Sequence, residues 1–153
     1  MSDSERPAHH RWVIQSKVFI FYGNGGIFTG EPFERWFQAL QGAPELRLYV
    51  GAAGSGFSFG PQDRARATEY FKVSKLRFAV ITESVRLRLL GQTARLVGMN
   101  LGLYGWADSH RPFVEAGFGD REVDQLHETL VKLRVDVDTE LKRSREASLR
   151  EAG

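Results

Sequence analysis

The chain has 153 residues, 42% of them hydrophobic and 26% charged, with a formal net charge of +2. That length holds one domain with a proper core, and a charge so close to balance gives no electrostatic case for nucleic acid. Cysteine is absent, which excludes disulfides, thiolate metal sites and cysteine nucleophiles. No run of about eighteen apolar residues occurs, and Met1 to Pro7 lacks the apolar stretch of a signal peptide. A cytoplasmic protein with no membrane span is therefore expected.

Residues 1–10 are polar and end in His9-His10, which reads as a disordered arm. Two adjacent histidines without a third ligand make no metal site. Arg11 to Tyr22 is rich in β-branched and aromatic residues and reads as two antiparallel strands, with Gln15-Ser16-Lys17 as the turn. Gly23-Asn24-Gly25-Gly26 breaks the second strand. Thr29-Gly30-Glu31-Pro32 starts a helix in which Phe33, Trp36, Phe37 and Leu40 make one apolar face, and Gln41 to Pro44 ends it.

Leu46 to Val50 is the next strand, followed by a glycine-rich loop from Gly51 to Pro61. A helix is expected from about Gln62 to Phe71. Leu76 to Ile81 then forms an apolar strand of the kind buried on both faces of a parallel sheet. Thr82, Glu83 and Ser84 offer side-chain oxygens where helix amides need caps. In the helix from Ser84 to Gly98, Val85, Leu89, Leu96 and Met99 hold helical spacing and read as the inward stripe, with Arg86, Arg88 and Arg95 as the wet face. Leu101 to Trp106 closes a βαβ unit.

Ala107-Asp108-Ser109-His110 turns into a short helix with Phe113 and Val114, and Gly117-Phe118-Gly119 precedes a long last segment. There Val123, Leu126, Leu130, Leu133 and Val137 repeat at spacings of three, four, three and four. Such a stripe either packs on the sheet of its own chain or supplies a homodimer contact. The expected organisation is a disordered arm (1–10), an α/β domain (11–118), an amphipathic helix (119–141) and a charged tail (142–153). Alternation of strands and helices argues for a mostly parallel sheet with an antiparallel N-terminal edge strand and helices packed on it.

Phe78-Ala79-Val80-Ile81, the helix from Val85 to Val97, Leu103-Tyr104 and Ala107 to Val114 together resemble the STAS superfamily (sulfate transporter and anti-sigma-factor antagonist). The likeness is to its sporulation anti-anti-sigma-like branch, which shades into SEC14-type lipid-binding domains, and it spans residues 11–118. It implies a STAS-like sandwich and a non-enzymatic regulatory module that binds a protein partner. Antagonists of this kind present an Asp-Ser-Ser-Gly-like turn whose serine is phosphorylated. The corresponding turn, Gly54 to Gly60, has Ser55 and Ser58 but neither the acidic residue nor the Ser-Gly pair in its usual form. Ser55 and Ser58 are the candidate phosphorylation sites, and a phosphate on Ser58 would place charge before a helix N-terminus.

The glycine loop after Val50 is neither a dinucleotide fingerprint nor a P-loop. Phe57 and Phe59 are large rings among small residues, and they either plug the core or form an apolar contact site. Gly23 to Phe28 repeats the theme of glycines followed by a ring, so the two loops could form one rim. Ser55, Phe57, Ser58, Phe59 and Phe28 are accordingly the candidate partner- or ligand-binding residues. The alternative is a carrier or sensor of an apolar small molecule or lipid, with a pocket among Phe33, Trp36, Phe37, Phe57 and Phe59. His110 and His127 have carboxylates nearby, but no nucleophile elbow or paired-ligand spacing accompanies them. Glu83 and Asp108 read as caps. No catalytic residue, metal or cofactor is expected, and Arg64, Arg66, Arg86, Arg88 and Arg95 lack the stacking platform of a nucleic-acid site.

Overall fold

The computed structural model describes residues 6–43, 45–96 and 98–152. Five strands form one sheet in the order β1-β2-β4-β6-β7. They are β1 (His9–Gln15), β2 (Val18–Asn24), β4 (Leu48–Ala53), β6 (Arg77–Thr82) and β7 (Leu101–Tyr104). β1 is antiparallel to β2, and the remaining neighbours are parallel. The fold is α/β, mostly parallel with one antiparallel edge strand, as expected.

The β1–β2 hairpin turns through Ser16 and Lys17, both at positive φ (52° and 64°). That pair of angles belongs to the two-residue turn whose twist matches the flanking strands. α1 (Gly30–Gln41), α2 (Pro61–Val73) and α3 (Val85–Leu96) are the three successive crossovers. Because the parallel strands add in one direction, right-handed crossovers put all three helices on one face of the sheet. The other face is covered by α4 (Arg111–Glu115) and α5 (Asp120–Ala152), after a single 3₁₀ turn at Trp106–Asp108.

The period-two alternation of each strand separates two unlike cores. Toward α1–α3 point Phe19, Phe21, Tyr49 and Phe78, which join Phe33, Trp36, Phe37 and Phe71. Toward α5 point Val18, Ile20, Leu48, Val50, Ala79 and Ile81, which meet Val123, Leu126, Leu130 and Val137. The repeated stripe of the last helix therefore packs in cis. Val123, Leu126, Leu130 and Val137 are buried against the chain's own sheet and Leu133 packs beside them, so they are not free to form the homodimer contact allowed by spacing alone. α5 also continues through the segment read as a charged tail, giving 33 residues and a length of about 50 Å.

Two further differences concern backbone pairing. Residues 6–10, read as part of a disordered arm, are ordered: Ala8 N donates to Ile27 O at 3.0 Å, Ile27 N donates to Arg6 O at 2.8 Å, and β1 starts at His9. Residues 1–5 of that arm lie outside the described residues. The strand expected to end at Val50 runs on to Ala53, because Gly51, Ala52 and Ala53 have ladder partners on both sides. Beyond it the two glycine segments meet as a small parallel sheet of β3 (Gly26–Phe28) and β5 (Phe57–Phe59). Among the described residues no helix is long and apolar enough to cross a membrane.

Leu130 is fully buried between α5 and the sheet. Leu130→Ala should lower the free energy of unfolding by about 2–5 kcal/mol, read by urea denaturation. Cis packing requires that the mass by light scattering stay that of the unsubstituted chain.

Candidate functional site

A pocket of about 330 Å³ lies on the aromatic face, between the sheet and helices α2 and α3. It exists because the sequence places small residues where their neighbours are large. β4 contributes Gly51 and Ala53 to this face, α2 contributes Ala67 and Thr68, and α3 contributes Gly91 and Ala94. Gly51 makes room for a ring: a Cβ there would stand 2.8 Å from the Tyr49 side chain. Gly91 lets α3 sit close to β7, since a Cβ would meet Leu103 at 2.5 Å. Rings close the two ends of the space, Phe21, Phe57 and Phe59 on one side, Tyr49, Phe71 and Phe78 on the other.

The walls are almost wholly apolar, with Val80, Leu87, Met99 and Leu101 completing them. Burial pushes the Tyr49 phenol far above its ordinary pKa, opposed only weakly by the Trp36 indole N–H, whose geometry falls short of a hydrogen bond. The phenol is thus neutral at any physiological pH. Besides that phenol, the polar side chains among the described lining residues are Arg64, Thr68 and Thr93. Arg64, Leu90 and Thr93 are exposed and mark the rim. The Thr93 hydroxyl is bonded to Leu89 O at 3.1 Å, whereas the Arg64 guanidinium has no ion-pair partner among the described residues.

The residues singled out in the sequence fall in three places. Phe28 and Phe57 are buried, within a cluster that also holds Phe21, Phe33, Trp36 and His10. Phe59 is half-buried and stacks edge-on against Phe57. The rings thus fold back over the core, the first of the two arrangements open from sequence, and Phe57 and Phe59 also line the pocket. Phe33, Trp36 and Phe37, expected in the pocket wall, instead pack among themselves beneath α1. Ser55 is exposed at the turn before β5, while Ser58 is half-buried and sits opposite Ile27.

The α3 face also differs from the expectation. Val85, Leu89 and Leu96 point outward, and the buried side of the helix is Gly91 with Leu87 and Ala94 beside it. Met99, beyond the helix, is buried as expected. Ser84 does cap the helix, its Oγ accepting from Leu87 N at 3.3 Å, and Thr82 Oγ1 accepts from Ser84 N at 3.0 Å. Glu83 caps a different element, accepting from Trp106 N at 2.7 Å.

On the opposite face two polar ties went unseen in the sequence, because their partners are more than a hundred, or eighteen, residues apart. Tyr22 Oη donates to Asp138 Oδ1 at 2.6 Å and Asn24 Nδ2 donates to the same oxygen at 2.9 Å, fixing the end of β2 to α5. Burial and then the Asp138 carboxylate hold the Tyr22 phenol well above its usual pKa. Ser109, buried, lies with its Oγ 2.8 Å from His127 Nε2. This serine–histidine contact is on the α5 side of the sheet, away from the pocket, and joins the 3₁₀ turn to the last helix. Burial lowers the His127 pKa, the neighbouring His110 lowers it further, and Asp124 raises it. Among the described residues no three His, Asp or Glu side chains gather as a metal site.

Comparison with protein-family models, with curated proteins and with solved structures found no match. The reading of the site rests on its own geometry.

With a folded pKa below 6.5, His127 binds its proton less readily in the native chain than in the unfolded one. Its contribution is therefore complete above pH 6.5, falls as pH drops toward the folded value and levels off below it. His10, lowered chiefly by burial, acts in the same direction. Urea melts across this window should show stability declining with acidification, and His127→Gln should flatten part of that slope; an unchanged slope would remove His127 from the account.

Proposed function

We propose that this chain is a non-enzymatic carrier or sensor that binds an apolar small molecule in the pocket between α2, α3 and the sheet. The observation that carries this reading is the cavity itself. A space of about 330 Å³ falls in the size class of small-molecule sites, and its walls have their mostly apolar character. At roughly 30 Å³ for a water- or methylene-sized group, it admits a chain on the order of ten such groups. Leaving it empty forfeits dispersion contacts on every wall. Arg64 at the rim favours a ligand with an anionic end, a medium-chain carboxylate being the simplest of that class.

A regulatory, protein-binding role of the STAS-like kind has less support. The exposed turn carrying Ser55 is in keeping with it, and the turn remains the site where phosphorylation would act. Phe28 and Phe57, however, are turned inward and offer a partner little surface.

Dodecanoate titrated against an environment-sensitive dye, with native mass spectrometry on the same samples, tests the reading. Ala67→Leu takes space from the cavity and should weaken dodecanoate binding by about tenfold or more while keeping the fold, since enlarging a side chain into a void fills it. Arg64→Gln should weaken it by no more than about fivefold, the most an exposed ion pair supplies. Absence of any bound dodecanoate, or binding indifferent to Ala67→Leu, would overturn the proposal.

A further inference from the structure

The outward side of α3 has no partner among the described residues. Val85, Leu89 and Leu96 are 72%, 58% and 87% exposed. At about 100° per residue, these three and Gln92 fall on one line along the helix, opposite buried Gly91. Arg86 flanks that line on one side, Arg88 and Arg95 on the other. The helix contains no carboxylate. The side chains of the three arginines form no ion pair or hydrogen bond among the described residues, and Glu83, the carboxylate just before the helix, is turned to the Trp106 amide.

We infer that α3 is the face by which this protein docks on an anionic membrane surface. A row of aliphatic side chains flanked by guanidinium groups fits the boundary of a bilayer, where the apolar row enters the acyl region and the arginines reach back to lipid phosphates. Charge decides between occupants. A second copy of the chain would bring the same three arginines to the contact, and like charges oppose one another there. An apolar protein groove would cover the aliphatic row but leave the guanidinium groups unanswered. A surface of anionic headgroups answers both. The inference does not depend on what the pocket holds, because the outer line and the pocket wall are opposite sides of the helix.

The experiment is co-sedimentation of the full chain with vesicles of phosphatidylcholine alone and of phosphatidylcholine with about one-third phosphatidylserine. Binding is expected to the anionic vesicles, weakening steeply as salt is raised. Replacing Arg86, Arg88 and Arg95 together by Gln should reduce it by on the order of a hundredfold. Val85→Gln with Leu89→Gln and Leu96→Gln should abolish the part that survives high salt. These side chains are exposed, so both variants should keep the circular dichroism of the parent. Ala67→Leu should bind vesicles as the parent does, which separates a failure here from a failure of the pocket reading. No preference for anionic vesicles would overturn the inference, as would binding that ignores both sets of substitutions. Self-association abolished by Leu89→Gln would also overturn it, by assigning the face to a second copy.

Discussion

The organisation of this protein follows from one sheet whose two faces are filled by different kinds of side chain. Along β2 the residues Val18, Ile20 and Tyr22 face one way and Phe19 and Phe21 the other, and β4 and β6 continue the same division. Aliphatic residues on the first face interdigitate closely with the Val–Leu stripe of α5. Rings on the second face pack edge-on and offset, at centroid separations such as 5.2 Å for Phe21–Phe28 and 4.3 Å for Phe71–Phe78. Flat, rigid groups in these arrangements hold their own spacing. Gly51, Ala53, Ala67, Gly91 and Ala94 come together there, and their short side chains leave space between the rings. The pocket is the consequence, with rings grouped at its sides and small residues between them.

The mainly aliphatic face is tied to the last helix by polar bonds as well as by packing. α5 runs past the sheet and is fastened at two places, by Ser109 to His127 in its first turns and by Tyr22 and Asn24 to Asp138 near its middle. Arg11 of the edge strand pairs with Asp136 and Glu140 on the same helix. These exposed pairs add little singly, but the Tyr22–Asp138 bond is part-buried, so breaking it leaves the buried Tyr22 hydroxyl without its acceptor. The pocket lies on the face of the sheet opposite these ties.

Much of the fold was legible in the chain, for identifiable reasons. The apolar strand Leu76–Ile81, the Phe33–Leu40 face and the glycine breaks each carry a period or a stop signal. What failed was the inference of direction. The row Val85, Leu89, Leu96 marks a helix side correctly, yet spacing says nothing of which side meets the sheet. The side that does is built on Gly91 and Ala94, which carry almost no hydrophobic signal and are chosen for closeness. The Val123–Val137 stripe had the same ambiguity between cis and trans packing, resolved only by the sheet beneath it. β3 and β5 are three residues each and glycine-flanked, too short for alternation to register. The candidate site was half legible: Phe57 and Phe59 are at it, but the space itself is opened by Gly51, Ala53, Ala67, Gly91 and Ala94, which are distinguished only by being small.

The outward row of α3 and its small inward residues have one physical origin, which also links the pocket to the outer surface. A crossover helix in a parallel sheet ordinarily turns its large aliphatic residues inward, where each gains burial of about 1.5–3 kcal/mol. α3 does the reverse with Val85, Leu89 and Leu96, and keeps Gly91 and Ala94 for the sheet. Neither half of that arrangement stabilises the isolated chain: the inner side leaves a void and the outer side leaves apolar surface in water. Both costs vanish together if the inner side receives an apolar ligand and the outer side an apolar medium rimmed by negative charge. A helix that merely closed a core would need neither, and the three arginines beside the outer row, which pair with no carboxylate among the described residues, would then have nothing to answer.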